Sequence, residues 1–556
     1  MLHCQRSLRR GVFPALTVVV LALSAGASAA YERSTDSAQA GGTVTIAAEQ
    51  ELDCADWLAS CAGSTWGMWT YGVHTLPRPF DQVGGRYVPN VLLKGEPKLD
   101  PGPPQKVTYE ISEKAQWNDA QPITSHDFKY TWQQIVTGED ILDTSGYENI
   151  ESIDDSNPKV AIVTFKRGED YAAWKDLFGA PYGVLPSHLL EGNDRSALMT
   201  DGYDWSGGPY IAKWTRGSDI TLTANPNWYG PKPKIQTVVF QFITETTAEA
   251  EAFKTGQVDA AYPSPQAETA ELFDVFGAKH FVNARTTSLE GLFLNTDRFP
   301  FQSKKVRQAI AYSLNRNAIV KNLFGALGVT RASQSLNFDL GSGSSGYYVA
   351  AFDKYTRDMG QVGELMRSDG WKKNSGGVWE KGGQTASFTL ATTSGDTRRE
   401  TTQDILRSQF ERAGFEVKTP YANEPSDTLF GETLPNGNYD AALVAPVFTY
   451  DPGLCFLFCS DNIPTETNEF SGMNVMRISS GPLDKAWSDA DKELDVDKRN
   501  EMIQLGQHAV AEEVPAIPID PLPDVGVWNG RRLRGPIGDN PTYGMFWNIY
   551  RWSARG

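Results

Sequence analysis

Carboxylates are the most numerous reactive side chains in this sequence. Its 556 residues include 68 Asp and Glu against 51 Lys and Arg, which gives a formal net charge of −17. Two carboxylates facing one cleft suffice for glycoside hydrolysis, so a secreted glycoside or peptide hydrolase stays open as an alternative. The motifs G-x-x-x-x-G-K-S/T, H-E-x-x-H and G-x-S-x-G do not occur.

Cysteines form the second group of reactive side chains. Four of the five lie in two close pairs, Cys54 with Cys61 and Cys455 with Cys459. An even number of cysteines in an exported chain indicates disulfides, and pairing within each close pair is the simplest of the three possible connectivities. No histidine beyond the N-terminal segment lies within a few residues of a cysteine, which disfavours zinc, and we expect no metal site.

The N-terminal segment indicates export. Residues 1–10 contain three arginines and no acid, residues 15–25 are almost purely apolar, and residues 27–30 (ASAA) are small. This pattern predicts a signal peptide over residues 1–30, because the apolar stretch is shorter than the about 20 residues that a membrane span needs. Residues 31–41 are predicted to be a flexible N-terminus. Cys4 precedes the apolar stretch, so no lipobox cysteine is evident, and we expect an extracellular or cell-envelope protein.

Composition excludes several other classes of protein. The chain is 40% hydrophobic and 11% aromatic, which is enough for large folded cores. An isoelectric point near 4.9 argues against a nucleic-acid partner, because binding to phosphates requires a surplus of Lys and Arg. We expect a globular protein that binds no nucleic acid.

Strand and helix patterns are mixed along the whole chain, which predicts an α/β protein. Alternating apolar residues predict strands over residues 42–47, 107–111, 160–165, 220–223, 237–243 and 387–390. A spacing of three to four predicts helices around Val306–Leu323 and around Ile405–Phe410.

Residues 116–132 (QWNDAQPITSHDFKYTW) combine a turn with the start of a helix. Thr124 or Ser125 is suited to cap this helix, and Phe128 and Trp132 fall on one face of it. Other stretches with distinctive residue types are residues 207–211 (GGPYI), 222–230 (LTANPNWYG), 292–296 (LFLNT), 300–301 (PF), 306–316 (VRQAIAYSLNR), 370–371 (GW) and 378–383 (VWEKGG).

In this order and spacing, the stretches resemble the extracellular solute-binding proteins of family 5, the peptide-binding class that delivers ligands to ABC importers. The resemblance runs from about residue 42 to 535. It implies a type II periplasmic-binding-protein fold in the large three-domain (cluster C) architecture, with a hinge and an interlobe cleft. Domain I would comprise residues 42–76, 202–293 and 514–556, domain II residues 77–201, and domain III residues 294–513. The ligand would lie between domains I and III, which close on it. The resemblance implies no covalent chemistry, so we expect a protein that is not an enzyme, with no catalytic residues and no cofactor.

The resemblance also implies where the ligand is held. Peptide-binding members use an aspartate three residues before an acidic-proline pair, here Asp451–Pro452, so Phe448 occupies the position of that aspartate. Phenylalanine cannot supply a charge-assisted bond, which is worth about 1.5–3 kcal/mol. Asp451 or an aromatic lining is the alternative source of affinity, although most of the 15 Trp are expected to pack in cores. The predicted ligand-binding residues are Trp66, Trp69, Tyr71, Val447, Phe448, Thr449, Tyr450 and Asp451.

The resulting hypothesis is an exported substrate-binding protein of an ABC importer that captures a peptide-like solute by domain closure. Its partners would be the ligand and the permease subunits of the transporter, and we expect a monomer. A non-peptide solute such as an oligosaccharide is the alternative ligand, because the amine-binding aspartate is missing.

Overall fold

The computed structural model describes most of the chain from residue 42 onward. The described residues are 42–59, 61–62, 64–179, 183–284, 286, 288–331, 347–425, 428–446, 454–468, 470 and 472–555. Within these ranges, no helix combines the length and the apolar character that crossing a bilayer requires.

Strands occur throughout the described residues. They are β1 (Thr43–Ala48), β2 (Phe80–Gln82), β3 (Tyr87–Pro89), β4 (Lys98–Asp100), β5 (Lys106–Glu110), β6 (Ile150–Asn157), β7 (Val160–Phe165), β8 (Tyr210–Thr215), β9 (Asp219–Ala224), β10 (Thr237–Phe242), β11 (Ala260–Ala261), β12 (Ala278–Asn283), β13 (Leu289–Leu294), β14 (Lys372–Lys373), β15 (Trp379–Lys381), β16 (Gln384–Thr385), β17 (Ser387–Phe388), β18 (Leu390–Ala391), β19 (Glu416–Val417), β20 (Ala441–Val444), β21 (Ala516–Pro521), β22 (Asp524–Asn529), β23 (Leu533–Arg534) and β24 (Ser553–Ala554).

Helices alternate with these strands. The α-helices are α1 (Thr65–Gly67), α2 (Val73–Thr75), α3 (Ser125–Thr137), α4 (Ser187–Leu190), α5 (Arg195–Met199), α6 (Thr246–Thr255), α7 (Lys304–Ser313), α8 (Arg316–Phe324), α9 (Met359–Ser368), α10 (Thr397–Ala413), α11 (Cys455–Phe458), α12 (Gly481–Lys492) and α13 (Val496–Glu513). Met68–Gly72 and Leu429–Thr433 are π-helical, and Ala267–Asp274, Gly325–Leu327, Ser460–Asn462, Glu466–Asn468 and Ile549–Arg551 are 3₁₀-helical.

The largest sheet has seven strands in the order β12-β22-β11-β1-β10-β9-β8. Near its middle, β1 pairs in parallel with both β10 and β11. Val44 and Ile46 of β1 are fully buried, as expected for a strand in the interior of a sheet. The sheet draws its strands from residues that are up to almost 500 positions apart in the sequence, so it is assembled only in the folded chain.

A second sheet has the order β18-β20-β13-β21. Every residue of β13 and β21 is buried, which explains their nearly continuous apolar sequences. The chain passes from β12 to β13 and returns from β21 to β22, so these two passages connect the second sheet to the seven-stranded sheet. The apolar residues divide accordingly into a cluster within residues 289–525 and another formed mainly by residues 44–240 and 528–552.

A third sheet, β4-β5-β7-β6, carries helix α3. Thr124 is the residue before α3, and its N–H donates to the Asp127 carboxylate at 2.8 Å. The other oxygen of Asp127 accepts hydrogen bonds from the N–H and hydroxyl of Ser187, at 2.9 and 2.7 Å. Asp127 is 2% exposed, so it ties the start of α3 to α4 in a buried environment.

Most of the predicted elements are confirmed with small shifts at their ends. The predicted strand over residues 387–390 is instead interrupted, because both the N–H and the hydroxyl of Thr389 donate to the Asp440 carboxylate. Phe128 is fully buried on α3 and Trp132 is half-buried beside it. Both predicted disulfides, Cys54–Cys61 and Cys455–Cys459, are present.

Replacing Asp127 tests the junction between α3 and α4. Asp127→Ala removes a charged acceptor and leaves buried donors on Thr124 and Ser187 without a partner. The free energy of unfolding, measured by urea denaturation, should fall by about 3 kcal/mol. Gln133→Ala on the exposed face of α3 should change it by less than about 0.5 kcal/mol. Equal effects of the two variants would contradict this role of Asp127.

Candidate functional site

The carboxyl ends of several strands meet at one edge of the seven-stranded sheet. β1, β10 and β11 are parallel, and β12 runs in the same direction because β12 and β11 are both antiparallel to β22. In open α/β sheets, ligands bind beyond the carboxyl ends of the strands. We call this side of the sheet the carboxyl edge. The polar residues that follow or begin strands there are Glu49, Tyr262, Ser264, Asn283 and Asp524.

Glu49 links the ends of β1 and β11. Its carboxylate accepts hydrogen bonds from the N–H and the hydroxyl of Ser264, at 2.9 and 3.0 Å. Burial raises the pKa of Glu49, while the bonds from Ser264 oppose the rise. Glu249 of α6 is fully buried nearby, and neither of its carboxylate oxygens has a hydrogen-bond partner in the described part of the chain. Burial and the charge of Glu49 raise the pKa of Glu249.

A second pair of acids lies at the same edge. The Asp539 carboxylate accepts a hydrogen bond from the side-chain amide of Asn283 at 2.5 Å, and its other oxygen lies 3.4 Å from the Tyr262 hydroxyl. Burial raises the pKa of Asp524, and the neighbouring Asp539 raises it further. Burial likewise raises the pKa of Asp539. The two carboxylates therefore hold a proton more tightly than isolated aspartates do.

An aromatic cluster adjoins these acids. The ring centroid of Trp69 lies 5.5 Å from that of Trp66 and 5.3 Å from that of Tyr262, in edge-to-face arrangements. Trp66 is 4% exposed, whereas Trp69 is half-buried. The indole N–H of Trp69 donates to the Thr542 carbonyl at 3.1 Å, which holds the ring in place. Of the predicted aromatic residues in this segment, Trp69 is the one with an accessible ring.

Tyr71 occupies a different environment. Its hydroxyl donates to the Tyr203 carbonyl at 2.5 Å and accepts a hydrogen bond from the Tyr203 N–H at 2.8 Å. The side chain is 2% exposed, and it lines a cavity of about 200 Å³ beside the Cys54–Cys61 disulfide. The backbone of Tyr203 therefore uses both the donor and an acceptor site of this hydroxyl.

Charged residues accumulate where the two large sheets connect. Glu290 of β13 lies opposite Asp520 of β21, and both are fully buried. Arg398 Nη1 lies 2.8 Å from one oxygen of Glu290, and Arg399 Nε lies 3.1 Å from the other. The Asp520 carboxylate has no hydrogen-bond partner among the described residues. Burial raises the pKa of Asp520 well above its usual range, and Glu290 adds to the rise.

The N-terminus of α10 faces the end of β1. Asp396 caps α10 by accepting a hydrogen bond from the Arg399 N–H at 2.9 Å. The charges of Asp396 and Arg398 both act on Glu49, which follows β1. Although burial alone would raise the pKa of Asp396, Arg398 and Arg399 hold it below its usual value. Glu49 at the carboxyl edge and the N-terminus of α10 are therefore close enough for their charges to interact.

The other predicted ligand-binding residues, Val447, Phe448, Thr449, Tyr450 and Asp451, lie outside the described residues. The strand that precedes them is described: Val444, the last residue of β20, pairs with Gly291. The chain therefore leaves β20 next to Glu290, at the junction of the two sheets.

The sequence did not predict the carboxyl-edge residues. Glu49 follows a predicted strand directly, which is a usable signal for a site of this kind. Tyr262, Asn283 and Asp524 gave no comparable signal, because their proximity depends on the order of strands in the sheet. The described residues contain no group of three or more His, Cys, Asp or Glu arranged to hold a metal ion.

One protein-family model matches more than half of the chain. The family model described as bacterial extracellular solute-binding proteins, family 5, middle, matches residues 102–458. The chain is 23% identical over 314 residues to Protein XP55 of Streptomyces lividans, and the match covers 56% of this chain and 55% of that protein. It is 24% identical over 439 residues to the oligopeptide-binding protein AppA of Bacillus subtilis, and the match covers 76% of each. The chain thus spans about half of the first relative and three quarters of the second.

The fold is also found in solved structures. The periplasmic EDTA-binding protein EppA superposes with a TM-score of 0.80 at 21% identity, over 93% of this chain and 97% of that chain. At this identity the likeness demonstrates a shared fold.

Asp520→Asn tests the electrostatics of the junction. Folding raises the pKa of this acid, so the folded protein favours the protonated form. The free energy of unfolding is therefore highest below the unfolded pKa, about 3.9, and falls as the pH rises toward the folded pKa. Asparagine does not ionise. The free energy of unfolding of the variant should therefore increase relative to that of the parent as the pH is raised from about 4 to about 7.

Denaturant titrations at several pH values measure this difference. Gln133→Ala, which changes no ionisable group, should show a difference from the parent that does not change with pH. A constant difference for Asp520→Asn as well would show that Asp520 does not hold its proton more tightly in the folded state.

Proposed function

Because the chain belongs to the extracellular solute-binding proteins of family 5, the binding components of ABC importers, we propose that it captures a peptide-like solute and delivers it unchanged to permease subunits. The observation that carries the proposal is the proximity of charged residues at the N-terminus of α10 to Glu49 at the carboxyl edge, beside the junction made by two passages of the chain. Peptide is the ligand class named for the relative AppA of Bacillus subtilis.

We propose that the three predicted domains form the moving parts. Domain I (42–76, 202–293 and 514–556) holds the seven-stranded sheet, domain II (77–201) holds β4–β7, and domain III (294–513) holds α10. The proposed hinge lies at β13 and β21, where the chain leaves and re-enters domain I. The sheet pairings support this placement, since β13 pairs both with β21 and with β20 of domain III. Closure would bring α10 and the carboxyl edge together around the ligand.

Trp69 is the proposed ligand contact of domain I. Its half-buried ring is fixed by the Thr542 carbonyl and packs edge-to-face against Trp66 and Tyr262. Residues 447–451 are the proposed contact from domain III, because they follow β20 at the junction. A rigid aromatic ring contributes large apolar contact with little loss of side-chain entropy.

A non-peptide solute such as an oligosaccharide is the second candidate ligand. It is favoured by Phe448, which stands where the resemblance places the amine-binding aspartate, since aromatic rings also stack on sugar faces. For either ligand class, we propose that residues 1–30 are removed on export and that the protein acts in the cell envelope or outside the cell. It would act as a monomer and leave its ligand chemically unchanged.

Trp69→Ala tests the proposed contact. The affinity for the tightest ligand found in peptide and oligosaccharide libraries, measured by calorimetry, should fall about 10-fold to 100-fold, as for a loss of about 1.5–3 kcal/mol of ring burial. Trp132→Ala, in which the half-buried ring lies on α3, should leave the affinity within about twofold.

Two further measurements accompany the titration. Small-angle scattering should show a smaller radius of gyration in the presence of ligand, as expected for hinge closure. Mass spectrometry should recover the ligand intact after prolonged incubation. Cleavage of the ligand would instead establish a hydrolase, and equal affinities of the two tryptophan variants would remove Trp69 from the site.

A further inference from the structure

The opposite edge of the seven-stranded sheet, where β1 and β12 begin and β22 ends, carries a different set of side chains. Phe276, just before β12, is 84% exposed, the largest exposure among the large apolar side chains of the described residues. Arg531, just after β22, places its guanidinium 4.7 Å from the centre of the Phe276 ring. A single exposed apolar ring is common, so Phe276 is informative only together with the cations that lie beside it.

Two glycines allow cations to lie flat beside this ring. A Cβ added to Gly277, whose φ is +84°, would lie 2.6 Å from Cδ of Arg531. A Cβ added to Gly530 would lie 2.6 Å from Cγ of Lys279. The aliphatic part of Arg531 therefore lies against the backbone of Gly277, and that of Lys279 lies against the backbone of Gly530. The N–H of Gly530 donates a hydrogen bond to the Gly277 carbonyl, which joins the two turns.

Further cations extend the same edge. Arg534 is exposed on β23, which pairs with β24 just before the exposed Arg555, and the N–H of Arg555 donates to the Arg532 carbonyl. Lys279, Arg531, Arg534 and Arg555 form no ion pair with a carboxylate in the described part of the chain. Arg532 is different, because Asp259 lies 3.1 Å from its Nε.

The surface formed by Phe276, Lys279, Arg531, Arg534 and Arg555 is called the basic-aromatic patch. The patch contains four cations and no acid, in a chain whose net charge is −17. Asp274 is the exposed acid closest to the patch in sequence. A nucleic-acid duplex has no apolar layer beneath its phosphates to accept the exposed Phe276 ring.

We propose that the basic-aromatic patch binds the surface of an anionic phospholipid membrane. Lipid phosphates lie above hydrocarbon, which matches an apolar ring surrounded by cations whose aliphatic stems lie flat. Phe276 enters the region below the headgroups, and the four cations contact phosphates. This orientation turns the carboxyl edge away from the lipid, so that the proposed ligand site stays accessible.

Vesicle flotation of the chain lacking residues 1–30 tests the proposal. Vesicles of phosphatidylglycerol and phosphatidylcholine should bind the protein at low ionic strength, binding should weaken as salt is added, and vesicles of phosphatidylcholine alone should not bind. The double variant Lys279→Glu/Arg531→Glu should reduce partitioning at least 25-fold, on the order of fivefold for each cation. Phe276→Ser should reduce it about 10-fold, since burial of the ring is lost.

Matched controls lie far from the patch. Lys114→Glu replaces an exposed lysine, and Leu505→Ser replaces a leucine that is 65% exposed on α13; both should bind vesicles as the parent does. Absence of binding to the anionic vesicles, or equal losses in the control variants, would overturn the proposal. Release of the bound protein by a short acidic peptide or an oligonucleotide at low concentration would also overturn it, and would assign the patch to that class of partner.

Discussion

The parallel pairing of β1 with β10 and β11 is the constraint on which the rest of the molecule depends. Parallel strands place all their carboxyl ends at one edge, so residues that follow different strands meet there regardless of their distance in the sequence. Glu49 and Ser264 are separated by 215 positions, yet they share two hydrogen bonds. The same edge is where the chain departs into the second sheet and where it returns.

The buried carboxylates near this edge are unequally supplied with partners. Glu290 is matched by two guanidinium groups, whereas Asp520 across the strand pair and Glu249 on α6 have carboxylates without hydrogen-bond partners among the described residues. Unpartnered buried carboxylates oppose folding and are retained where a protein needs polar groups in a closed space. Their raised pKa values show that burial outweighs the nearby arginines at Asp520. An edge rich in acids also distinguishes this site from one that is lined by aromatic rings alone.

The two edges of the same sheet thus differ in charge as well as in direction. Acids gather at the carboxyl edge, and cations gather where β12 begins and β22 ends. Glycines have distinct roles at the second edge, since Gly277 and Gly530 provide the space in which Arg531 and Lys279 cross the backbone. The net charge of −17 is a sum over the whole chain, so it shows neither the acids at one edge nor the cations at the other.

Local patterns in the sequence were sufficient for part of the strands and helices, for both disulfides and for the family. Alternation predicted β1 and β7 because one face of each strand is buried, and the close spacing of Cys54 and Cys61 left little choice of partner. These features depend on contacts between residues close in the chain, or on motifs that keep their order. The acids of the carboxyl edge and Tyr262 could not be predicted in this way, and Trp69 was expected near the ligand only from the family resemblance. Asn283 and Asp539, or Trp69 and Tyr262, become neighbours only through strand order and packing, which arise from long-range burial and leave no periodic trace in the sequence.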